Sequence, residues 1–241
     1  MSIRIGINGF GRMGRLGFRA GWNNNAYTIM QINEIATDVT GAAHLLKFDS
    51  VHGTWLSNTS TDADNLIVDG KSISYTSNTK IADTDWSNCD IVIEATGVNH
   101  KKPELLNTYF DQGVKKVIVA APTQGALNIV YGINDDLYDH EKHHLITAAS
   151  CTTNCLAPIV KVMNEHIGIK HGCMTTIHDI TNTQTIVDKG HKDLRRARAC
   201  GQSLIPTSSG SAKAIINIFP ELLGKLNGHA IRVPLLNASL T

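Results

Sequence analysis

Two spacings of apolar residues alternate along the chain, and the switches between them mark its elements. Ile3 to Ile7 is a short apolar run rich in β-branched residues and predicts a buried strand, and the glycine-punctuated stretch behind it opens a helix through Phe18. Tyr27 to Ile32 predicts a second strand, and Leu66 to Tyr75 alternates about Asp69-Gly70, the signature of a β-hairpin. Strands are expected at Asp90 to Ala95 and Lys116 to Ala120, separated by a helix over Pro103 to Gln112, and again at His144 to Ala149. Further on, Leu156 to His166 carries apolar residues at helical spacing, Gly172 to Ile177 reads as a strand, and Pro206-Thr207-Ser208-Ser209-Gly210 opens another helix. Strands alternating with helices predict an α/β fold.

The first of these switches carries chemistry. Gly9-Phe10-Gly11-Arg12-Met13-Gly14 lies between the first strand and its helix, and the second strand ends in Asn33-Glu34, twenty residues beyond Gly14. A lone G-x-G-x-x-G is a weak signal, but strand, turn, helix, strand and acid in this order describe a dinucleotide site. Gly9 makes the tight turn, Gly11 lets the backbone approach a pyrophosphate, and Gly14 allows helix and strand to pack closely. The N–H groups of Arg12 and Met13 face the phosphate oxygens, and Glu34 holds the adenosine ribose. A carboxylate there repels a 2′-phosphate, which favours NAD over NADP. Thr96-Gly97, after the strand that ends at Ala95, suits the ligand crevice outside the strand ends.

A second switch, Ser150-Cys151-Thr152-Thr153-Asn154-Cys155, puts a thiol between a strand and a helix. Unpaired N–H groups and the helix dipole favour a thiolate there. His178 follows the next strand, and an imidazole near a thiol can take up and return its proton. Cys89, Cys173 and Cys200 read as small buried hydrophobes, and Cys155 as structural, although it lies one helical turn from Cys151. Arg195, Arg196 and Arg198 form a basic stretch, Ser209-Gly210 precedes a helix, and Arg232 stands in an apolar setting that calls for an anionic partner. Hydroxyls, glycine N–H groups and guanidinium ions are phosphate ligands, so with the thiol and imidazole they point to a phosphorylated substrate.

Bulk properties narrow the field. The 241 residues suffice for one or two domains, and a net charge of +1 leaves no electrostatic footprint for nucleic acid or an anionic membrane. Five cysteines form no even framework, and neither a leader nor a membrane span is recognisable, so a soluble cytoplasmic protein is expected. His140, His143 and His144 precede a strand in a polar stretch, with no second ligand group at zinc spacing; no metal is expected.

With these residues assembled, the chain resembles phosphorylating glyceraldehyde-3-phosphate dehydrogenase from Gly6-Ile7-Asn8-Gly9-Phe10-Gly11-Arg12 to Arg232-Val233-Pro234. Ser150 to Cys155 carries the resemblance most specifically, supported by Thr175-Thr176-Ile177-His178. The stretches Ile81 to Trp86, His178 to Gln184 and Arg232 to Thr241 resemble the subgroup associated with arsenate resistance. The resemblance implies a Rossmann-type NAD-binding domain over 1–149 and a partial α+β catalytic domain over 150–241, with NAD as cofactor and a homotetramer at full length. It implies attack of Cys151 on the aldehyde, with His178 as base, then a thioester that inorganic phosphate or arsenate cleaves. Thr181 and Arg232 correspond to ligands of the substrate's own phosphate. Ser150, Thr152, Arg195, Ser209 and Gly210 correspond to contacts of the attacking anion, while the sequence leaves open which of Arg195, Arg196 and Arg198 turns inward.

Three departures from the family stand out. Glu34 replaces the usual Asp, Ala120 a hydroxyl residue, and Asp179-Ile180 a pair that is small, then aromatic or hydroxyl-bearing; none is expected to touch the reacting groups. Family members continue for roughly another third of this length, so truncation at the C-terminus, with an incomplete catalytic domain, is also expected. Two other readings stay open: another thiol-dependent semialdehyde dehydrogenase, and a non-catalytic remnant that binds NAD.

Overall fold

The computed structural model of the chain describes residues 2–241. In chain order, β1 (Ile3–Asn8), α1 (Arg12–Gly21) and β2 (Tyr27–Asn33) form the first unit of parallel strand, helix and strand. Then come α2 (Val39–Lys47), a short ribbon of β3 (Phe48–Asp49) with β4 (Gly53–Thr54), and the antiparallel strands β5 (Thr59–Asp62), β6 (Asn65–Val68) and β7 (Lys71–Thr76). The β6–β7 turn is the expected one at Asp69-Gly70. Both residues have positive φ, 48° and 79°, which matches the twist of a tight hairpin. Next are β8 (Ile91–Glu94), α3 (Asn107–Asp111), β9 (Lys116–Val119), β10 (Leu127–Asn128) and β11 (Leu145–Thr147).

Nine of these strands form one sheet in the order β10-β11-β9-β8-β1-β2-β7-β6-β5, parallel from β10 to β7. Its period-two pattern separates two cores. Ile5, Ile7, Phe10, Phe18, Ile29 and Ile32 join one cluster, whereas Trp86, Cys89, Val92, Tyr109 and Val117 form another. Gly6 lies between Ile5 and Ile7 but faces the second cluster. A Cβ on it would come within 2.8 Å of both the Cys89 sulphur and the Trp86 ring, so glycine is required by packing. Burial pushes the Cys89 thiol up to about 11, the behaviour of an inert core cysteine.

The remaining elements are α4 (Cys151–His166), β12 (Gly172–His178), β13 (Ile205–Ser208), α5 (Ser211–Ile218) and β14 (Leu226–Arg232). The smaller sheet runs β12-β14-β13, with β12 parallel and β13 antiparallel to β14. Val130, Ala157, Val160, Ile215 and Leu222 make a third core that joins α4 to α5. Backbone contacts divide the chain into two units: the residues up to Ile129 with Asp136–Ala148, and Val130–Asp135 with Ala149–Thr241.

Several expectations change. The 103–112 helix is a 3-10 segment, Pro103–Leu106, followed by the single turn of α3; Pro103 starts it and Gly113, at φ 93°, follows its end. The 144–149 strand contracts to Leu145–Thr147, and Ala149 adopts a left-handed φ of 59°. The segment around Pro206 is first an edge strand, β13, where a proline need not donate to the ladder, and the helix starts only at Ser211. Cys173 is exposed rather than buried, because on β12 the alternation turns it outward, and Cys155 is exposed as well.

Candidate active site

In the first unit, the parallel register brings the carboxyl ends of three strands level, with Asn8 opposite both Asn33 and Glu94. The loops that follow therefore meet. The Gly9 N–H donates to the Asn33 carbonyl at 2.8 Å, and the Ala95 N–H to the Asn8 carbonyl at 2.7 Å. Gly9 has φ 92°, and a Cβ there would lie 2.4 Å from the Thr96 nitrogen, while one on Gly14 would lie 2.2 Å from the Gly9 carbonyl oxygen. No other residue fits at either position. At Gly11, by contrast, a Cβ would meet nothing within 4 Å. Its glycine leaves an open cradle, and Arg12 and Met13 beside it are exposed.

Glu34 closes this loop from the side. Its carboxylate accepts the Phe10 N–H at 2.6 Å and the Ala36 N–H at 2.8 Å, and Arg15 donates to the Phe10 carbonyl at 2.8 Å. A carboxylate has about four lone-pair directions, so two backbone bonds leave acceptors for vicinal hydroxyls. Open cradle and spare acceptors fit a dinucleotide. Beneath them, Glu94 accepts from Tyr109 Oη at 2.7 Å, Asn99 Nδ2 at 2.9 Å, Asn8 Nδ2 at 3.3 Å and the Thr96 N–H at 3.0 Å, and from the Thr96 hydroxyl. The Thr96-Gly97 turn, with Gly97 at φ 73°, is fixed by this buried network, which leaves no periodic signal in the sequence.

In the second unit, Ser150 caps α4, its hydroxyl accepting the Thr153 N–H at 3.1 Å. Cys151 is thereby the first residue of a sixteen-residue helix and is exposed. Its sulphur lies 3.4 Å from His178 Nε2 and 4.0 Å from the hydroxyl of buried Thr152. His178 ends β12, where the parallel register sets it opposite Arg232, the last residue of β14. Arg232 Nη1 donates to the Asp179 carbonyl at 2.8 Å, and its buried Nε has no partner. Burial, the largest influence, pulls the Arg232 guanidinium below its usual value, while the charges of Asp179 and Cys151 oppose that. A buried donor aimed nowhere is costly unless an anion satisfies it.

The three neighbouring arginines separate clearly. Arg195 is outward, pairing both nitrogens with Asp193 at 3.0 Å, and Arg198 pairs with Asp188 at 2.6 Å. Arg196 is the sheltered one, donating to the Thr207 hydroxyl on β13, with a second buried Nε that has no hydrogen-bond partner. Thr181 occupies an exposed turn with Thr183 and Gln184. Ser150 Oγ also lies 3.4 Å from Ser211 Oγ, at the start of α5, and Ser209 accepts the Ser211 N–H at 3.2 Å, next to exposed Gly210. Contrary to the sequence reading, Asp179 does touch a reacting group: its carboxylate lies 2.6 Å from His178 Nδ1. Among the described residues no group of three metal-binding side chains occurs, and no helix is long and apolar enough to cross a membrane.

Two family models match the chain: the NAD binding domain of glyceraldehyde 3-phosphate dehydrogenase over residues 3–102, and the C-terminal domain of the same enzyme over residues 150–241. The chain belongs to the glyceraldehyde-3-phosphate dehydrogenase family. It is 59% identical, over its whole length and 72% of the relative's, to glyceraldehyde-3-phosphate dehydrogenase 3 of Nostoc sp.. It is 48% identical to glyceraldehyde-3-phosphate dehydrogenase 1 of Bacillus subtilis and 47% to the glyceraldehyde-3-phosphate dehydrogenase of Geobacillus stearothermophilus, again with full coverage of this chain and 72% of each relative. The family makes the chain an NAD-dependent dehydrogenase with a Rossmann-type cofactor domain. The Gly9–Gly14 loop, Glu34 and the Thr96-Gly97 turn are the parts of that domain whose geometry fits the cofactor.

Proposed function

We propose that the chain oxidises glyceraldehyde 3-phosphate to an acyl phosphate through a thioester on Cys151. The observation that carries this reading is the 3.4 Å contact between Cys151 Sγ and His178 Nε2 at the start of α4, with Arg232 Nη1 2.9 Å from the other imidazole nitrogen and the Arg232 Nε buried without a partner. His178 takes the thiol proton, the sulphur adds to the aldehyde carbon, and the imidazolium returns that proton to the new alkoxide to give a hemithioacetal. The helix start supplies N–H groups for the developing oxyanion. His178 then receives the hydroxyl proton as the carbon loses hydride. Bound NAD, held by the Gly9–Gly14 loop and Glu34, supplies the hydride acceptor. Inorganic phosphate attacks the resulting thioester, forms the acyl phosphate and restores the thiolate.

Arg232 and Thr181 hold the substrate's phosphate on this reading, and Ser150, Thr152, Ser209 and Gly210 serve the attacking anion. Arg196 takes the role that the resemblance gave to Arg195, since Arg196 is sheltered and lies 3.8 Å from Asp193, whereas exposed Arg195 holds that same carboxylate through two bonds at 3.0 Å. Arsenate has the shape and charge of phosphate and would use the same groups to give an acyl arsenate. Support for arsenate as the physiological anion comes from the three stretches that resemble the arsenate-resistance subgroup. We further propose a cytoplasmic protein that is a homotetramer at full length, to be tested by the mass of the purified full-length protein in solution, and two domains that divide at 149/150.

Reduction of NAD by glyceraldehyde 3-phosphate, dependent on phosphate or arsenate and absent in Cys151→Ala, is the expected result. Oxidation of unphosphorylated semialdehydes at equal kcat/KM would favour a different thiol dehydrogenase. NAD binding without any reduction would leave only a binding remnant.

A further inference from the structure

The residue after the catalytic histidine is the chain's most consequential departure from its family. Asp179 Oδ1 lies 2.6 Å from His178 Nδ1, with the two side chains only 18% and 7% exposed. Ser239 holds the carboxylate in place: the Asp179 N–H donates to its hydroxyl at 3.3 Å, and that hydroxyl donates back to Oδ1 at 3.4 Å. The serine is itself positioned, because the segment carrying it bonds back to β12 through the Ile177 and Leu240 backbones at 2.8 and 2.9 Å. A mobile surface carboxylate would have no such seat.

Two arrangements of the imidazole proton compete here. Arg232 Nη1 stands 2.9 Å from Nδ1 and could donate to it, which would put the ring proton on Nε2, facing the sulphur. His178 would then be unable to accept the thiol proton. Asp179 decides against that. At 2.6 Å an oxygen anion and a bare nitrogen lone pair would repel, whereas the same anion stabilises an N–H, and most of all an imidazolium, beside it. The Nδ1–H donates to the Asp179 carbonyl at 2.8 Å, which also takes the Arg232 donor. Nδ1 is therefore the protonated nitrogen and Nε2 carries the lone pair that points to Cys151.

We infer that Asp179 is a positioning residue that completes a Cys151–His178–Asp179 relay: it fixes the productive tautomer and stabilises the imidazolium formed when the thiol proton moves to Nε2. In that step the S–H bond breaks, an N–H bond forms, and the net charge of the three side chains is unchanged. The logic is that of a serine-protease triad, with a thiol in place of the hydroxyl. The charged and titratable side chains within hydrogen-bond reach of the ring are Cys151 from α4, Arg232 from β14 and Asp179 beyond β12. Asp179 also offsets Arg232, so it moderates an otherwise uncompensated cation next to the base. The inference rests on the reading of Cys151 and His178 given above.

The test is the pH dependence of Cys151 alkylation by iodoacetamide, measured on the whole chain with Asp179→Asn, Asp179→Ser, Asp179→Glu, His178→Asn and the His178→Asn/Asp179→Asn pair. Asp179→Asn and Asp179→Ser are expected to slow alkylation near neutral pH about tenfold, through loss of the counter-charge beside the imidazolium, and to move the profile's midpoint upward. Asp179→Glu should recover part of the loss, and in the His178→Asn background the Asp179→Asn change should have no further effect on the midpoint. An unchanged midpoint in the folded Asp179 variants, or the same shift with and without His178, would overturn the inference while leaving the thiol–imidazole reading intact. An unaltered profile in His178→Asn itself would overturn that underlying reading.

Discussion

The carboxyl ends of the large sheet and the start of α4 are both polar clusters, but their hydrogen bonding differs. Around Asn8, Asn33, Glu94 and Tyr109 the buried groups satisfy one another: Asn33 Nδ2 donates to Asn8 Oδ1 at 2.9 Å, Asn8 Nδ2 to Tyr109 Oη at 2.6 Å, and Tyr109 to Glu94. Around Cys151 the thiol is exposed, Arg232 and Arg196 each carry a buried Nε without a hydrogen-bond partner, and Ala149, two residues before the thiol, sits in left-handed backbone. The first cluster holds a turn against which a cofactor can be placed. The second keeps donors and strain in reserve for an anion. Substitutions in the first should therefore register mainly as stability, and those in the second as catalysis and substrate affinity.

His178→Asn should break the comparison most visibly. It removes the proton acceptor beside the thiol and is expected to lower kcat by about 10²–10⁴-fold, while NAD affinity, measured by fluorescence titration, stays at the wild-type value. A loss of NAD affinity to the same degree would show that the two clusters are not separable. Arg232→Gln should come next. Loss of a charged ligand is expected to raise KM for the phosphorylated aldehyde by roughly 10- to 100-fold, with little change for an unphosphorylated aldehyde and no fall in melting temperature, because the unsatisfied buried donor goes with it.

Tyr109→Phe tests the other side. It strips a donor from Glu94 and an acceptor from Asn8 in a fully buried place, and a stability loss of about 1–3 kcal/mol is expected in urea titration. Iodoacetamide should still alkylate Cys151 at the wild-type rate. The smallest effect belongs to the amino ends of the central strands, where Asp90 accepts from the Arg4 backbone and guanidinium and from Lys115 at 3.0–3.2 Å. Those donors hold the Asp90 carboxyl well below the usual carboxylate range, the Arg4 side chain most of all. Its folded-state value is depressed, so the stabilisation is complete above the unfolded value near 3.9 and fades as pH falls toward the folded one. Asp90→Asn should therefore cost about 1–2 kcal/mol at pH 7, and the gap to the wild type should close below about pH 4.

The strands and turns that carry the first cluster were legible in sequence because their signals are local, whereas its buried Asn8, Glu94 and Tyr109 network was not. Apolar periodicity marked β1 and β2, glycines marked the turn between them, and Asp69-Gly70 marked the hairpin, each within a dozen residues. Cys151 was legible for the same reason, since small hydroxyl residues before a helical run announce a capped helix start. What escaped depends on register and burial. His178 and Arg232 lie 54 residues apart in sequence and become neighbours only through the parallel pairing of β12 with β14. Arg195 and Arg196 are chemically alike, and only the local turn gives one two close bonds to Asp193 and leaves the other 3.8 Å from it, donating to Thr207. Asp179 read as a neutral departure from a family pattern, because its effect lies in a 2.6 Å distance that no spacing rule encodes. β13 was hidden by Pro206, which is tolerated because the strand is at an edge.

The most direct test of the central claim is a single-turnover experiment without phosphate or arsenate. The chain is mixed with NAD and glyceraldehyde 3-phosphate, NADH is followed by absorbance, and the protein is then analysed by intact mass and peptide mapping. A burst of about one NADH per chain, matched by one acyl group on Cys151 that inorganic phosphate releases, is the predicted result. NADH formed without an adduct, or an adduct on another cysteine while Cys151 stays free, would contradict it.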